Sequence, residues 1–180
     1  MSRIELVDLF CRRFAEQGGV VEPVHDWGEA VDRILDEAKD AAGAVAVSSC
    51  EDRYLESLKT RLGDGDRLVG PRARPEQIAQ CVLGITFPVA GIAETGSILE
   101  LCYDDSDRLV SALPPIHLAY LESSKIVAHL LDVAELVRRS ASSRAFSATF
   151  ISGPSRTADI ELRQVIGVHG PHAVKILLKV

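Results

Sequence analysis

The four cysteines of this sequence, Cys11, Cys50, Cys81 and Cys102, stand far apart, and no two form a Cys-x-x-Cys pair. That absence excludes a zinc ribbon and a self-contained iron–sulfur motif, both of which need closely spaced thiolates. Reduced, mostly buried thiols are the simpler expectation. Basic clusters are missing too: Arg12-Arg13, Arg72 with Arg74, and Arg138-Arg139 are the densest groups, within a net charge of −6. Broad binding of nucleic acid or of anionic membranes rests on clustered Lys and Arg and is thereby excluded. The longest uncharged stretch, Gln77 to Ala93, holds Pro88 and glycines. It falls short of the ~20 apolar residues of a membrane span. Glu5 and Asp8 interrupt the first apolar run, so "MSRIELVDLFCRRF" does not read as a signal peptide. A soluble, cytoplasmic chain is expected.

What is present is ordinary globular material, 47% apolar and 26% charged over 180 residues. Without repeat, low-complexity tract or linker, residues 1–180 are expected to form one domain, since domains cluster near ~100–150 residues. Ile4, Leu6, Val7, Phe10, Cys11 and Phe14 share one face at helical spacing, and Gly18-Gly19 stops that helix. "VVEPV" reads as a short strand. Asp26 with Glu29 makes a capping pair for a helix with Ala30, Val31, Ile34, Leu35 and Ala38 inward. "GAVAVSS" (43–49) and "CVLGIT" (81–86) are continuous apolar runs of the kind buried on both faces of a parallel sheet. Between them lie a helix over 51–62, a brief strand in "GDGDRLVG" and a helix in "PEQIAQ", with Pro75 in its first turn.

"GSILELCYDDSDRLVSAL" predicts a β-hairpin across the turn-rich "DDSD". "IHLAYL" reads as a strand, and 123–139 as a helix with Ile126, Val127, Leu130, Leu131, Ala134 and Val137 on its core face. A strand in "AFSATFIS", a helix after "GPSRTADI" and a closing strand "AVKILLKV" complete the chain. The alternation predicts an α/β fold: an open, mostly parallel sheet with helices on both faces, plus an inserted β-hairpin. In such sheets ligands sit outside the carboxyl ends of the strands.

Three loops carry residue types suited to chemistry. In "GPSRTADI", Ser155 or Thr157 could cap the following helix, leaving backbone N–H groups and the helix dipole to favour an anion. Arg156 adds a planar fork for a carboxylate or phosphate. The bland alternative pairs Arg156 with a neighbouring carboxylate and leaves the hydroxyls as caps, while Asp159 in the first turn competes with a bound anion. The glycine-rich cradle and lysine of a Walker loop are absent, so triphosphate binding is not indicated. In "GIAETGSILEL", Glu94 beside Thr95 and Gly96 could act as base, nucleophile or hydrogen-bond acceptor, or simply as a turn residue. In "GVHGPHAV", His169 lies between glycines and could move a proton near neutral pH or make a structural hydrogen bond. His169 and His172 lack a third ligand at supporting spacing, so no metal is expected. His117 reads as a strand residue facing a loop.

Taken together, "GIAETGSILEL", "RLVSALPPIHLAYLESSKIV", "FISGPSRTADIEL" and "GVHGPHAVKILL" resemble the LUD domain, the family of lactate-utilization proteins, over residues 80–180. The resemblance implies a fold similar to that of ribose-5-phosphate isomerase and the CoA transferases. It places Glu94, Thr95, Gly96 and Ser97 in one ligand loop, Gly153, Ser155, Arg156, Thr157 and Asp159 in a second, and His169 with Gly170 in a third. Glu94 stands where many relatives have Asp. Glu94 and His169 are the implied proton-transfer groups, and a small anionic metabolite or cofactor the implied ligand.

The family's bacterial members act in oxidation of L-lactate to pyruvate with two companions, an LUD protein carrying an iron–sulfur region and a second cysteine-rich iron–sulfur protein. No cofactor is expected on this chain, and the clusters are expected in those partners. The alternatives are a stand-alone isomerase or CoA-transferase-type enzyme using Glu94, and a non-catalytic assembly protein.

Overall fold

The computed structural model describes residues 1–41, 43–63, 67–141, 146–157, 165–166 and 170–180. In chain order its elements are α1 (Arg3–Glu16), β1 (Val20–Val24), α2 (Trp27–Asp40), β2 (Val45–Val47), α3 (Asp52–Leu62), β3 (Leu68–Val69), α4 (Pro75–Ala79), β4 (Leu83–Thr86), β5 (Ala90–Ile92), β6 (Ser97–Cys102), α5 (Asp105–Val110), β7 (Ile116–Glu122), β8 (Ile126–Val127), α6 (Ala134–Ala141), β9 (Ser147–Ile151), β10 (Arg156–Thr157), β11 (Val165–Ile166) and β12 (Ala173–Lys179).

The helix starts follow from capping chemistry. Ser2 Oγ accepts the Glu5 N–H at 3.3 Å while Glu5 Oε2 accepts the Ser2 N–H at 2.7 Å. The Asp26/Glu29 pair forms as the sequence implies: Asp26 Oδ1 accepts the Glu29 N–H, and the Glu29 carboxylate accepts the His25 N–H, both at 2.9 Å. Each such cap is worth ~1 kcal/mol.

Six strands form an all-parallel sheet in the order β1-β12-β7-β4-β2-β3. Alternation along the strands sorts its side chains into two layers. Leu83, Ile85, Leu118, Tyr120 and Leu177 pack against α2 and α3. Ala119, Leu121, Val174, Ile176 and Leu178 face the other way, onto Phe10 and Phe14 of α1 and onto a second sheet through Ile98 and Ile126. That second sheet has the order β8-β5-β6-β9, with β5–β6 and β6–β9 antiparallel. Each large aliphatic or aromatic residue buried this way contributes about 1.5–3 kcal/mol. Gly84 lets α5 reach the sheet, because a Cβ there would lie 2.0 Å from the Val110 carbonyl oxygen. Among the described residues no helix is long and apolar enough to cross a membrane.

Three local expectations are corrected. The hairpin partner of β6 is β5, and the run after "DDSD" is the helix α5. Asp104 there acts as a helix cap, accepting the Ser106 N–H at 2.9 Å. The stretch 123–139 is broken: a helical turn at Ser123–Lys125 is followed by β8, which pairs with β5 through Ile126 and Val127, and α6 begins only at Ala134. Its apolar spacing is coincidental, since β-branched Ile126 and Val127 complete a sheet edge while Leu131 is 83% exposed. Finally, Arg156–Thr157 is extended and pairs antiparallel with Val165–Ile166, so the helix expected after "GPSRTADI" neither starts at 156–157 nor extends through 165–166. Thr157, Val165 and Ile166 are β-branched residues suited to that pairing. Residues 158–164 lie outside the described set.

Candidate functional site

The strand order reverses at β2. The chain runs from β2 to β3 through α3, whose Tyr54, Leu58 and Leu62 pack on one face. It returns to the far side of β2 through α4, whose Ile78 packs on the opposite face beside Ala46. Such a switch leaves a crevice beyond the carboxyl ends of the two strands that flank it. A cavity of about 410 Å³ lies there, between Ser48-Ser49 after β2, Thr86-Phe87 at the end of β4, Glu100 of β6, and Arg72. A second cavity of about 190 Å³ shares Ser49 and Phe87 and continues along the same edge to Glu122 and Lys125. Behind both, Trp27, Tyr54, Phe87 and Tyr120 form one ring cluster, with Trp27–Tyr54 centroids 4.7 Å apart and Tyr54–Phe87 5.2 Å apart.

The larger cavity has a buried polar wall. Glu100 is 4% exposed, Thr86 2% and His117 0%. Gly84 pairs with His117 and Thr86 with Ala119, so Thr86 and His117 project from the same sheet face, where β6 carries Glu100 over them. The Thr86 hydroxyl donates to Glu100 Oε1 and lies 2.7 Å from His117 Nε2, which is itself 3.4 Å from Glu100 Oε1. Burial works to raise the Glu100 pKa. The hydrogen bond and charge of His117, with the hydroxyls of Thr86 and Ser111, outweigh it and hold the carboxyl below its ordinary value. Glu100 is therefore a carboxylate inside the protein at neutral pH. Its Oε1 is partnered, whereas Oε2 and His117 Nδ1 are buried without a hydrogen-bond partner among the described residues. An unpaired buried polar atom costs about 1–3 kcal/mol, more when charged, so this wall is held at an energetic cost.

The rim adds fixed geometry. Asp107 Oδ1 accepts the Ser49 N–H at 2.7 Å, tying α5 to the turn after β2. Arg72 holds φ of 62°, an uncommon conformation for a side-chain-bearing residue and one that clusters at functional sites. Burial pushes the Cys50 thiol up to about 11; burial, with the charges of Glu100 and Asp107, pushes Cys102 up to about 12.

The loops singled out in the sequence gather elsewhere. Gly18-Gly19 and Gly170 precede β1 and β12, so this cluster lies at the amino edge of the large sheet, around the end of α1. Gly96 fits against α1 with φ of 62°; a Cβ there would lie 2.5 Å from the Arg13 carbonyl carbon. Gly153 abuts the Gln17 carbonyl oxygen, and the Arg156 guanidinium lies against Gly18. Ser97 Oγ is 2.8 Å from Ser152 Oγ, the Ser155 N–H donates to the Pro171 carbonyl at 2.9 Å, and Gly170 packs on Ser155. Glu94 is exposed and accepts the Leu130 N–H at 2.9 Å, with His129 Nδ1 3.7 Å away. Thr95 Oγ1 is buried without a partner among the described residues. Thr157 is described in its backbone alone, and Asp159 and His169 lie outside the described residues. The structure thus brings 96–97, 153–156 and 170 together around the end of α1, away from the carboxyl-edge crevice, while Glu94 is held by the 128–130 segment.

Sequence reasoning missed Glu100, Thr86 and Arg72 and read His117 as a residue facing a loop. A usable signal was present: "GIT", "ILELC" and "IHLAYL" each carry one polar residue in an otherwise apolar strand. Such residues are tolerated in a core when they meet one another.

The LUD domain matches residues 7–178. Among similar proteins, lactate utilization protein C of Shouchella clausii is 33% identical over 149 residues, covering 76% of this chain and 63% of that protein. The Halalkalibacterium halodurans protein of the same name is 39% identical over 111 residues, covering 60% of this chain and 46% of its own. The Bacillus subtilis one is 35% identical over 95 residues, covering 51% and 40%. The matched part thus spans 40% to 63% of these relatives' own length. The crystal structure of a DUF162 family protein from Deinococcus radiodurans superposes with a TM-score of 0.71 at 19% identity, over 100% of this chain and 99% of that one, and shares its fold. With the match running through nearly the whole sequence, the chain belongs to the LUD domain family.

Proposed function

We propose that this chain is a lactate-utilization protein C type component. It takes part in oxidation of L-lactate to pyruvate, with iron–sulfur partner proteins accepting the electrons, and binds a small carboxylate in the carboxyl-edge crevice. The names of the similar proteins support the pathway. The crevice supports the binding role: its lining holds one cation, Arg72, together with the carboxylates of Glu100, Asp104 and Asp107. A guanidinium suits a ligand carboxylate, and the hydroxyls of Ser48 and Ser49 lie on the same lining. The observation that carries the reading is the position of this cavity at the strand-order reversal. Calorimetric titration with L-lactate is expected to give saturable binding, and affinity capture from the native host is expected to recover cysteine-rich iron–sulfur proteins. Absence of both binding heat and capture would overturn the reading.

A second reading keeps the anion at the amino-edge loops, with Arg156 and the 153–157 backbone as its holder and Glu94 and His169 as proton-transfer groups. It is favoured by the convergence of 96–97, 153–156 and 170 and by the Thr95 hydroxyl, buried without a partner among the described residues. Under it Arg156→Ala, and not Arg72→Ala, abolishes L-lactate binding. A stand-alone CoA-transferase-type enzyme would instead yield a covalent acyl adduct at Glu94, detectable by mass spectrometry after incubation with acyl-CoA.

A further inference from the structure

We propose that the smaller carboxyl-edge cavity, beside the crevice assigned above, binds a small zwitterionic α-amino acid: Glu122 takes the ligand's ammonium, while Lys125, the Tyr120 hydroxyl and the amino end of α3 take its carboxylate. Tyr54, Phe87, Tyr120, Glu122 and Lys125 all line this cavity of about 190 Å³. Drug-sized ligands fill roughly 300–1,000 Å³, so its occupant is small.

The donors come first. Tyr120 is 5% exposed and its ring packs on Trp27, Tyr54 and Phe87. Its hydroxyl has no hydrogen-bond partner among the described residues. Burial, then the neighbouring Tyr54 and Glu122, pushes its pKa up to about 12, so it stays an O–H donor and calls for an acceptor. Lys125, in the helical turn after β7, forms no ion pair among the described residues. Glu51 caps α3 without a side-chain hydrogen bond, which leaves first-turn N–H groups open to an anion. These groups together suit a carboxylate. Glu51, held by Arg53 at 2.9 Å, and Asp52 in the first turn oppose an anion of higher charge such as phosphate.

Glu122 supplies the opposite sign. It is half-buried, its hydrogen bond is the long one from the Ser124 hydroxyl at 3.5 Å, and it has no ion pair among the described residues. With Glu51 paired to Arg53, the lining carries one unpaired carboxylate and one unpaired ammonium. A ligand with one charge of each sign is their complement. The stacked rings of Tyr54 and Phe87 offer its side chain an apolar wall.

Trp27 is the single tryptophan of the chain and lies 4.9 Å from the Tyr120 ring, so its fluorescence reports on this cavity. The probes are L-alanine, propionate and ethylamine, the last two lacking the ammonium and the carboxylate respectively. Titration of the intact chain is expected to show saturable L-alanine binding at least about tenfold tighter than either, the ratio for one charged hydrogen bond. Glu122→Gln is expected to bring the alanine-to-propionate ratio near one. Tyr120→Phe keeps the ring cluster and is expected to weaken L-alanine about two- to tenfold, and Arg72→Ala to leave the titration unchanged. No saturable fluorescence change and no calorimetric heat with L-alanine overturns the site. Equal binding of L-alanine and propionate, or an unchanged ratio in folded Glu122→Gln, overturns the amino-acid class. Loss of L-alanine binding in Arg72→Ala moves the ligand into the larger cavity and overturns the assignment.

Discussion

The two ends of the parallel sheet use polar and glycine residues in opposite ways. At the amino edge, Gly96, Gly153, Gly18 and Gly170 bring backbones and side chains into close contact around the end of α1. Arg156 lies there at a helix carboxyl terminus, where a guanidinium complements the dipole and a bound anion would oppose it. At the carboxyl edge, Thr86, Glu100 and His117 are deeply buried and leave a carboxylate oxygen and an imidazole nitrogen without partners among the described residues, where the amino edge leaves the Thr95 hydroxyl so. An unusual sequence pattern therefore marks close packing as readily as binding.

The contrast can be broken in order of expected effect. His117→Ala removes one partner of the buried Glu100 pair and is expected to cost about 3–5 kcal/mol, because an uncompensated charge stays inside; urea unfolding measures it, and a loss below about 1 kcal/mol would mean that the wall is not held by that pair. Arg72→Ala is expected to weaken L-lactate binding by about 1.5–3 kcal/mol with stability unchanged. Gly96→Ala should destabilise by about 1–3 kcal/mol through overpacking against Arg13 and Phe14, and leave ligand affinity intact in the folded fraction. Arg156→Ala is expected to lower stability by only about 0.3–1 kcal/mol, the range for a cation at a helix carboxyl terminus.

Acid titration sharpens the same comparison. The Glu100 pKa lies below its ordinary value in the folded chain. Its stabilising contribution is thus fully present above the unfolded carboxylate value of about 4.3 and is lost as pH falls through the lower folded value. Glu100→Gln is expected to flatten that acid limb of the unfolding free energy. A limb unchanged in the variant would place the titration elsewhere.

Much of the fold was legible because local signals and packing agree in it. The buried runs at 45–47 and 83–86 are strands, and the Asp26/Glu29 cap opens a helix. Legibility failed where one pattern serves two structures. "DDSD" suits a turn and a helix cap alike, and apolar residues at helical spacing over 123–139 turned out to be a strand, two turns and a short helix. The site was harder to read because its parts come from β4, β6 and β7, and only the register of β4 on β7 and the crossing of β6 bring Thr86, His117 and Glu100 together. Each alone looks like a tolerated polar residue in a strand. The glycine-flanked loops drew attention because their spacing is visible along the chain, while the reversal of strand order at β2 is visible only in three dimensions.

The most direct measurement is calorimetric titration of L-lactate into Arg72→Ala and Arg156→Ala side by side. Affinity should collapse in the first and stay at the unaltered value in the second. The reverse pattern would move the ligand to the end of α1 and contradict the assignment of the carboxyl-edge crevice.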